Sequence, residues 1–285
     1  MTIIFGLLSA FSYGYADFVG ALAAKRIRAV AVTAYSFSFG LLLAIVLSAI
    51  FGASYSQNTI IASIFAGVCS AIAITFLYAA LALGPISIVS PLTAVVSAVI
   101  PVVVDVALGA NLSSFVLVAV VLILIAVVLV AFVPSPDLKL PTLRATLYSV
   151  GAGLGFAGIF LFLDFTDSDS GLGPLLIMRV VGMVILFGLL FVVFKRSSGQ
   201  PYIERITDWK LAGLILLAST GDVMGNVAFL IATRAGDLAV AAVLTSLYPV
   251  GTILLARIFL KERIAKSQLL GIVLALIGTT LIAAG

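Results

Sequence analysis

The sequence has no histidine, one cysteine and few charges. Without histidine the chain lacks the commonest general base, zinc ligand and proton switch of neutral pH, so proton chemistry falls to carboxylates. Cys69 alone supports neither a disulfide framework nor a thiol metal site, and its apolar surroundings indicate a small packing residue. Charged residues make up 9% of the 285 positions, against about 25% in ordinary globular domains. The chain has too few polar residues to build the surface of a soluble protein.

Apolar residues instead form 64% of the chain, and they fall into runs of about 20 residues, the length that crosses a bilayer as a helix. We therefore predict an all-α integral membrane protein of ten transmembrane helices, solvated by the lipid bilayer and without an extramembrane catalytic domain. The predicted helices are residues 3–24, 30–51, 59–83, 86–108, 112–132, 142–163, 173–194, 210–231, 237–259 and 266–284.

The basic residues occur in short clusters between these runs. Thirteen of the fifteen lie in the loops after the first, fifth, seventh and ninth runs, and the other two are Arg179 and Arg234. Positive charge concentrates on cytoplasmic loops, so both termini are predicted outside the plasma or inner membrane. The clusters form no continuous patch, which argues against nucleic acid as a partner despite the net charge of +4.

The two halves of the chain show weak self-similarity. Gly84–Thr93 aligns with Gly236–Thr245, and the loop 25–28 is basic where its counterpart, 164–169, is acidic. Five helices per copy invert the second copy in the membrane, which explains the reversed loop charges. We therefore predict two inverted five-helix repeats, residues 1–135 and 136–285. Such repeats are typical of secondary transporters, whose substrate site lies near the midplane between them.

The last 50 residues carry a sharper motif. The segment from Leu260 through Gln268 and Gly271 to Gly278, preceded by Pro249, resembles the second repeat of EamA-type members of the drug/metabolite transporter superfamily. The glutamate of this motif is Glu262, and the corresponding residue in the first half is Ala110. The resemblance implies a solute carrier, often an exporter, that works without ATP.

Charged residues inside the predicted helices mark candidate binding sites, because burying a charge in a bilayer is costly. Tyr13 and Asp17 share a helix face and could bind a cation, carry a coupling proton, or simply bond a neighbouring helix. Asp222 and Asn226 are also four residues apart, in the most polar of these helices. They indicate either a central cavity or a structural hydrogen-bond network. Arg179 either binds an anionic group of the substrate or pairs with Asp222 or Asp17.

Other residues complete the candidate set. Tyr78 and Tyr248 could line the cavity, and Pro91, Pro101 and Pro249 are predicted to bend gating helices. Asp105 lies near a helix end, where interfacial water is expected to solvate it. The glycines at 6, 14, 151, 155 and 158 are predicted to pack helices closely. The acidic loop with Asp164, Asp167 and Asp169 lacks the EF-hand spacing, and no metal or cofactor is predicted.

Three functions follow from these residues. The first is a secondary transporter, exporter or exchanger of small organic metabolites such as amino acids, working by alternating access around a central cavity. The second is a proton-coupled exporter of lipophilic cations or drugs, for which Arg179 would need a neutralising partner. The third and most remote is an intramembrane aspartyl protease, but Tyr15-Ala16-Asp17 and Ser219-Thr220-Gly221-Asp222 depart from both motifs of that class. The first two are not enzymes.

Overall fold

A computed structural model describes residues 1–24, 26–27, 29–83, 86–131, 142–196, 206, 208–259 and 265–284. Within these residues the chain forms eleven α-helices and one isolated antiparallel bridge. The helices are α1 (Thr2–Ala24), α2 (Ala29–Phe51), α3 (Gln57–Leu83), α4 (Ile86–Ala107), α5 (Ser114–Ala131), α6 (Leu143–Asp164), α7 (Gly173–Arg196), α8 (Trp209–Arg234), α9 (Leu238–Thr245), α10 (Tyr248–Phe259) and α11 (Lys266–Ala284).

The helices suit a lipid environment. Seven segments in the described part of the chain are long and apolar enough to cross a membrane, and shorter apolar helices lie within α4, α5 and α11. Large apolar side chains are exposed along the bundle, Phe11, Val121 and Val184 among them. In a bilayer such an exterior faces acyl chains. The predicted multi-pass, all-α class is confirmed, while the number of crossings and their orientation stay predictions.

The bundle is held together mainly by contacts between the two halves of the chain. The largest interfaces in the described residues join α3 to α6, α1 to α8 and α5 to α11. The pairing is reciprocal, because α4 packs on α6 while α9 and α10 pack on α1. Helices adjacent in the sequence, such as α1 and α2, share little contact. The main core therefore lies between the halves.

Glycines set the close approach of these helices. A Cβ added at Gly155 would lie 2.7 Å from the backbone nitrogen of Ala73, and one at Gly14 would lie 2.5 Å from the carbonyl oxygen of Tyr248. Both are shorter than real side-chain contacts, so larger residues would push the helices apart. The predicted packing role is confirmed for the glycines at 6, 14, 151, 155 and 158, each of which faces another helix.

The predicted ninth helix, residues 237–259, is two helices in the structure. α9 ends at Thr245 and α10 begins at Tyr248, so that Pro249 is the second residue of a new helix. Proline has no amide hydrogen to give the carbonyl of Thr245, four residues before it, but is tolerated in the first turn of a helix. Ser246 between the two helices keeps right-handed helical angles, and Leu238–Leu255 is long and apolar enough to count as one span, so the bend predicted at Pro249 stays a prediction.

The other two prolines lie within α4, which runs unbroken from Ile86 to Ala107. The ring of Pro101 is buried, whereas the side chain of Pro91 lies outside the described structure. Their gating role stays a prediction. The motif at Leu260–Ile264 also lies outside the described residues.

Candidate functional site

A small cavity lies between the two halves of the bundle. Its charged and aromatic wall comes from α1, α2, α6 and α8, and its volume is about 60 Å³. That is room for a few water molecules and far below the roughly 300 Å³ of a drug-sized site. A larger solute would therefore require the helices to separate. The charged and aromatic lining residues are Tyr13, Asp17, Phe37, Phe156 and Asp222, and the smaller or aliphatic ones are Ala16, Thr33, Ser36, Ile74, Leu77 and Ala218.

One of the lining residues, Asp222, belongs to an ion pair. The guanidinium of Arg179 on α7 donates a hydrogen bond to the carboxylate of Asp222 on α8. The Arg179 side chain is only 3% exposed, against 26% for Asp222. The guanidinium carbon also lies 5.3 Å from the centre of the Phe37 ring, a cation–π distance. The cavity wall therefore presents the carboxylate, while the guanidinium is covered.

The structure decides between the two ion-pair partners predicted for Arg179. Among the described residues Arg179 pairs with Asp222 and not with Asp17. Asp17 lines the same cavity from α1, where it has neither a basic partner nor a hydrogen-bond donor in the described structure. Two carboxylates thus face one small space, and only one of them is neutralised by a neighbouring cation.

Small residues place α8 where its carboxylate can reach the cavity. A Cβ at Gly225 would lie 2.9 Å from the ring of Tyr13, and one at Gly221 would lie 3.0 Å from the carbonyl oxygen of Ser12. The hydroxyl of Ser219 donates to the carbonyl of Ser36, joining α8 to α2 at 2.8 Å. The glycines and serines predicted to form a polar stretch thus hold α8 between α1 and α2.

Asn226 lies one turn from Asp222 but outside the described cavity wall. Its amide nitrogen donates to the backbone carbonyl of Asp222 at 2.8 Å. Its side-chain oxygen is buried and has no hydrogen-bond partner among the described residues. The residue is 4% exposed, so it stands next to the ion pair rather than against the cavity.

The remaining predicted site residues are placed differently. Tyr248 is 7% exposed and belongs to the main apolar core, not to the described wall of the cavity. Tyr78 lies in α3, but its side chain is outside the described structure. Sequence reasoning missed Thr33 and Ser36, which line the cavity beside Phe37. Ser36 and Phe37 follow Thr33 by three and four residues, which places all three on one face of α2, and this spacing was the signal in the sequence.

Asp105 is half-buried near the end of α4, and its predicted solvation at the membrane interface stays a prediction. Its carboxylate accepts a hydrogen bond from the backbone amide of Ala239 at 2.8 Å, in the first turn of α9. Asp237, at the N-cap of α9, makes no such bond. A residue of α4 therefore caps a helix in the other half of the chain, because negative charge is favourable at a helix N-terminus.

Two loops meet at one end of the bundle, and we call this contact the loop seam, formed by residues 52–59 and 165–172. Backbone bonds of 3.0 Å pair Ser54 with Ser170 and Leu172 with Gly52. Gly171 takes a φ of +56° at this bridge, a conformation that favours glycine. The seam therefore joins the α2–α3 connection to the α6–α7 connection.

Asp167 is the centre of the loop seam. Its carboxylate accepts from the hydroxyl of Ser56 and, at 2.9 Å, from the amide of Asn58. These hydrogen bonds, that from Ser56 first, hold the pKa of the Asp167 carboxyl below its ordinary value of 3.8. Arg234, at the end of α8, donates to the Gly171 carbonyl at 2.9 Å. The acidic loop is thus engaged with protein donors.

The opposite end of the bundle is joined more weakly in the described residues. Arg26 and Asp208 form an ion pair at 3.5 Å, with side chains 45% and 46% exposed. Such exposed pairs contribute little to stability because water screens them. This pair joins the α1–α2 connection to the start of α8.

Comparisons with known proteins agree with this architecture. Twenty-nine chains of solved structures match. One of them, titled only as the crystal structure of a protein, has a TM-score of 0.76 over 99% of this chain and 96% of its own, at 14% sequence identity. That identity shows a shared fold alone. No curated protein matches.

A family model described as the EamA-like transporter family matches the chain twice, at residues 1–132 and 143–284. The matches leave out little more than the connection between the halves. The resemblance predicted from Pro249 and the segment that follows it is confirmed. Since the matches span nearly all of its length, the chain belongs to the EamA-like transporter family, within the drug/metabolite transporter superfamily.

Proposed function

We propose that this membrane transporter is a secondary carrier of small organic solutes that bear an amino group, working by alternating access around the cavity between its halves. The observation that carries the proposal is the cavity wall itself. Asp17 and Asp222 face it as carboxylates, beside the rings of Tyr13 and Phe37. A carboxylate next to an aromatic face is the chemistry that binds an ammonium group.

The proposed architecture is ten membrane crossings in two inverted repeats, residues 1–135 and 136–285. The reciprocal pairing of α1 with α8 and of α3 with α6 supports it, because a two-fold axis between the repeats exchanges these pairs. With ten crossings, even-numbered connections lie on one side of the membrane and odd-numbered ones on the other, and the described contacts between connections agree with this. The loop seam joins the second and sixth connections, and the pair of Arg26 and Asp208 joins the first and seventh.

Both termini are proposed to lie outside the cell membrane, with the basic loops in the cytoplasm. Met1 and Ile282 line one surface depression together with Asn111 and Asp237. This shared location supports placing the two termini, the α4–α5 connection and the α8–α9 connection on one face. Lysine and arginine are concentrated in the loops of the opposite face, which supports placing the face with the termini outside the membrane.

Amino acids are the first candidate substrates. Their ammonium group suits Asp17, and their carboxylate suits a guanidinium such as that of Arg179, which lies beside the cavity. Lipophilic cations are the second candidate, and one observation favours them. Asp222 neutralises Arg179, which removes the objection that a free guanidinium would repel a cation. Both classes share the amine and differ in the carboxylate.

Protons are the proposed coupling ion, carried by Asp17. Its carboxylate has no basic partner among the described residues and lines the cavity. A proton and a substrate ammonium would therefore compete for the same oxygen atoms. Proteolysis fits the site poorly, because an aspartyl protease needs two carboxylates that share a proton, and Asp222 is committed to Arg179.

The proposal is tested by counterflow into liposomes that contain the purified protein, with labelled amino acids, amines, carboxylates and sugars. Amine-bearing solutes are expected to exchange, and solutes without an amine are not. Asp17→Asn should abolish uptake driven by a pH gradient and should weaken exchange, because the variant loses the carboxylate proposed to bind both the proton and the ammonium. Asp237→Asn, which removes a carboxylate exposed outside the cavity, is the matched control. Unchanged pH dependence in Asp17→Asn would sink the coupling role, and exchange of sugars alone would sink the substrate class.

A further inference from the structure

Arg179 is a buried cation whose neutralisation depends on one residue. Its side chain is 3% exposed, and Asp222 is its only ion-pair partner in the described structure. The Phe37 ring covers another side of the guanidinium, and the α2 backbone passes close at Gly40, where an added Cβ would lie 3.5 Å from the guanidinium carbon. The guanidinium is therefore enclosed on the α2 side and capped by Asp222.

Asp222 separates this cation from the cavity. Its side chain is 26% exposed and lines the cavity, whereas Arg179 is absent from the described wall. A solute in the cavity thus meets the carboxylate first. Movement of the Asp222 side chain would present the guanidinium to the same space.

A substrate carboxylate and the Asp222 carboxylate are the same chemical group. Either can satisfy the planar fork of donors on Arg179. The alternative, a buried guanidinium without a counter-ion, is strongly unfavourable. A carboxylate that enters the cavity therefore has one favourable route to Arg179, which is exchange with Asp222.

We propose that Asp222 is the residue that determines carboxylate selectivity: it occupies Arg179 in the conformation described here, and a substrate carboxylate binds by taking its place. The released Asp222 then faces the cavity beside Asp17, where both carboxylates can hold the substrate ammonium. A zwitterion satisfies all three charges, an amine satisfies Asp17 and leaves the pair intact, and a carboxylate without an amine satisfies none of the acidic groups. This inference rests on the proposed function.

The test uses Asp222→Asn, which removes the charge and keeps the shape of the side chain. The probes are leucine, 3-methylbutylamine and 4-methylpentanoate, which share the 3-methylbutyl group and differ in which of the two charged groups it carries. Binding is measured in detergent by thermal stabilisation. Wild type should bind the amine and leucine more tightly than 4-methylpentanoate. Asp222→Asn should bind 4-methylpentanoate about ten- to a hundred-fold more tightly than wild type does, the worth of one hydrogen bond to a charged group.

Two control variants distinguish displacement of Asp222 from Arg179 from a general effect of losing a negative charge. Asp237→Asn should not gain carboxylate binding. The double variant Arg179→Gln/Asp222→Asn should lose the gain, because it has no guanidinium to uncover. A folded Asp222→Asn protein without the gain, or an equal gain in the double variant, would overturn the proposal.

Asp222→Asn could fail to fold because it leaves Arg179 unpaired. In that case 4-methylpentanoate added during purification should restore folded protein, whereas the double variant should fold without it. Failure of the carboxylate to restore folding, in the presence of a folded double variant, also contradicts the proposal. The result is separable from the proposed function, because wild type that neither binds nor transports amines would refute that function and leave carboxylate binding to Asp222→Asn unaffected.

Discussion

Asp105 shows how one side chain can join the two halves of the chain. It accepts the amide of Ala239 across 134 positions of sequence, in place of the N-cap residue Asp237. Losing an N-cap acceptor costs about 0.5–2 kcal/mol. The bond lies at the start of α9, all eight residues of which are buried, so the loss should affect the folding of the whole bundle.

Asp105→Ala is therefore expected to lower the free energy of unfolding by about 1 kcal/mol, because the Ala239 amide loses its acceptor. The measurement is the thermal or denaturant midpoint of the purified protein in detergent. Asp237→Ala is the matched control, since its side chain makes no cap bond. Equal destabilisation by the two variants would refute a capping role for Asp105.

The site residues were predictable in kind but not in arrangement. Charges in apolar runs are rare, so Asp17, Arg179 and Asp222 were identified from the sequence alone. Whether Arg179 pairs with Asp222 or Asp17 depends on how α1, α7 and α8 pack, which residue spacing does not encode. The cap bond of Asp105 was missed for the same reason, because its partner is a backbone amide in another helix.

At the scale of the helices, close packing depends on glycines with backbone neighbours. A Cβ at Gly14 would meet the Tyr248 carbonyl at 2.5 Å and the Thr252 nitrogen at 2.8 Å. Backbone atoms cannot move aside as a flexible side chain can. At Gly188, also within a helix, nothing lies within 4 Å of an added Cβ.

Gly14→Ala is expected to destabilise the protein by about 1–3 kcal/mol, the usual cost of overpacking, because α1 and α10 must separate. Gly188→Ala should be neutral or stabilising by up to about 1 kcal/mol, since alanine is the better helix former. Both are measured as shifts in the unfolding midpoint in detergent. A neutral Gly14→Ala variant would contradict the tight contact of these two helices.

Most helices were predictable because membrane thickness fixes the length of an apolar run. The two-residue turn between α9 and α10 was not. Pro249 marked the place, yet proline can bend a membrane helix or end it, and neighbouring helices decide which by supplying partners for the freed backbone groups. The surroundings of Thr245 and Ser246, both fully buried, arise only in the folded bundle.

At the scale of the molecule, the described residues include contacts at both ends of the bundle. The loop seam joins two connections and the end of α8 through Asp167 and Arg234. The opposite end has one exposed ion pair, Arg26 with Asp208, in the described residues. Opening the cavity toward the seam should therefore require these bonds to break.

Asp167→Ala should favour opening at the seam, because the donors of Ser56 and Asn58 lose their acceptor. The measurement is labelling of Ala218→Cys, a cavity position, by a membrane-impermeant thiol reagent, in a Cys69→Ala background. Labelling from the seam side should rise several-fold. Arg26→Ala should leave it unchanged, and a similar rise in both variants would refute a specific role for the seam.

The seam should also respond to acid. Its hydrogen bonds lower the pKa of Asp167, so its contribution is present above the ordinary value of 3.8 and is lost as the pH falls through the lower folded value. Wild-type labelling from the seam side, taken relative to that of an exposed cysteine at the same pH, is therefore expected to rise only below about pH 4. The Asp167→Ala variant should show no such rise.

The reciprocal packing of the halves has a consequence for biosynthesis. Since α1 and α3 find their main partners in α8 and α6, the first five helices leave the ribosome before the surfaces that will cover them exist. Until α8 is inserted, Asp17 has no finished cavity to face and must be solvated by lipid headgroups, water or the insertion machinery. The nascent first half therefore keeps its packing surfaces uncovered until the helices of the second half are inserted.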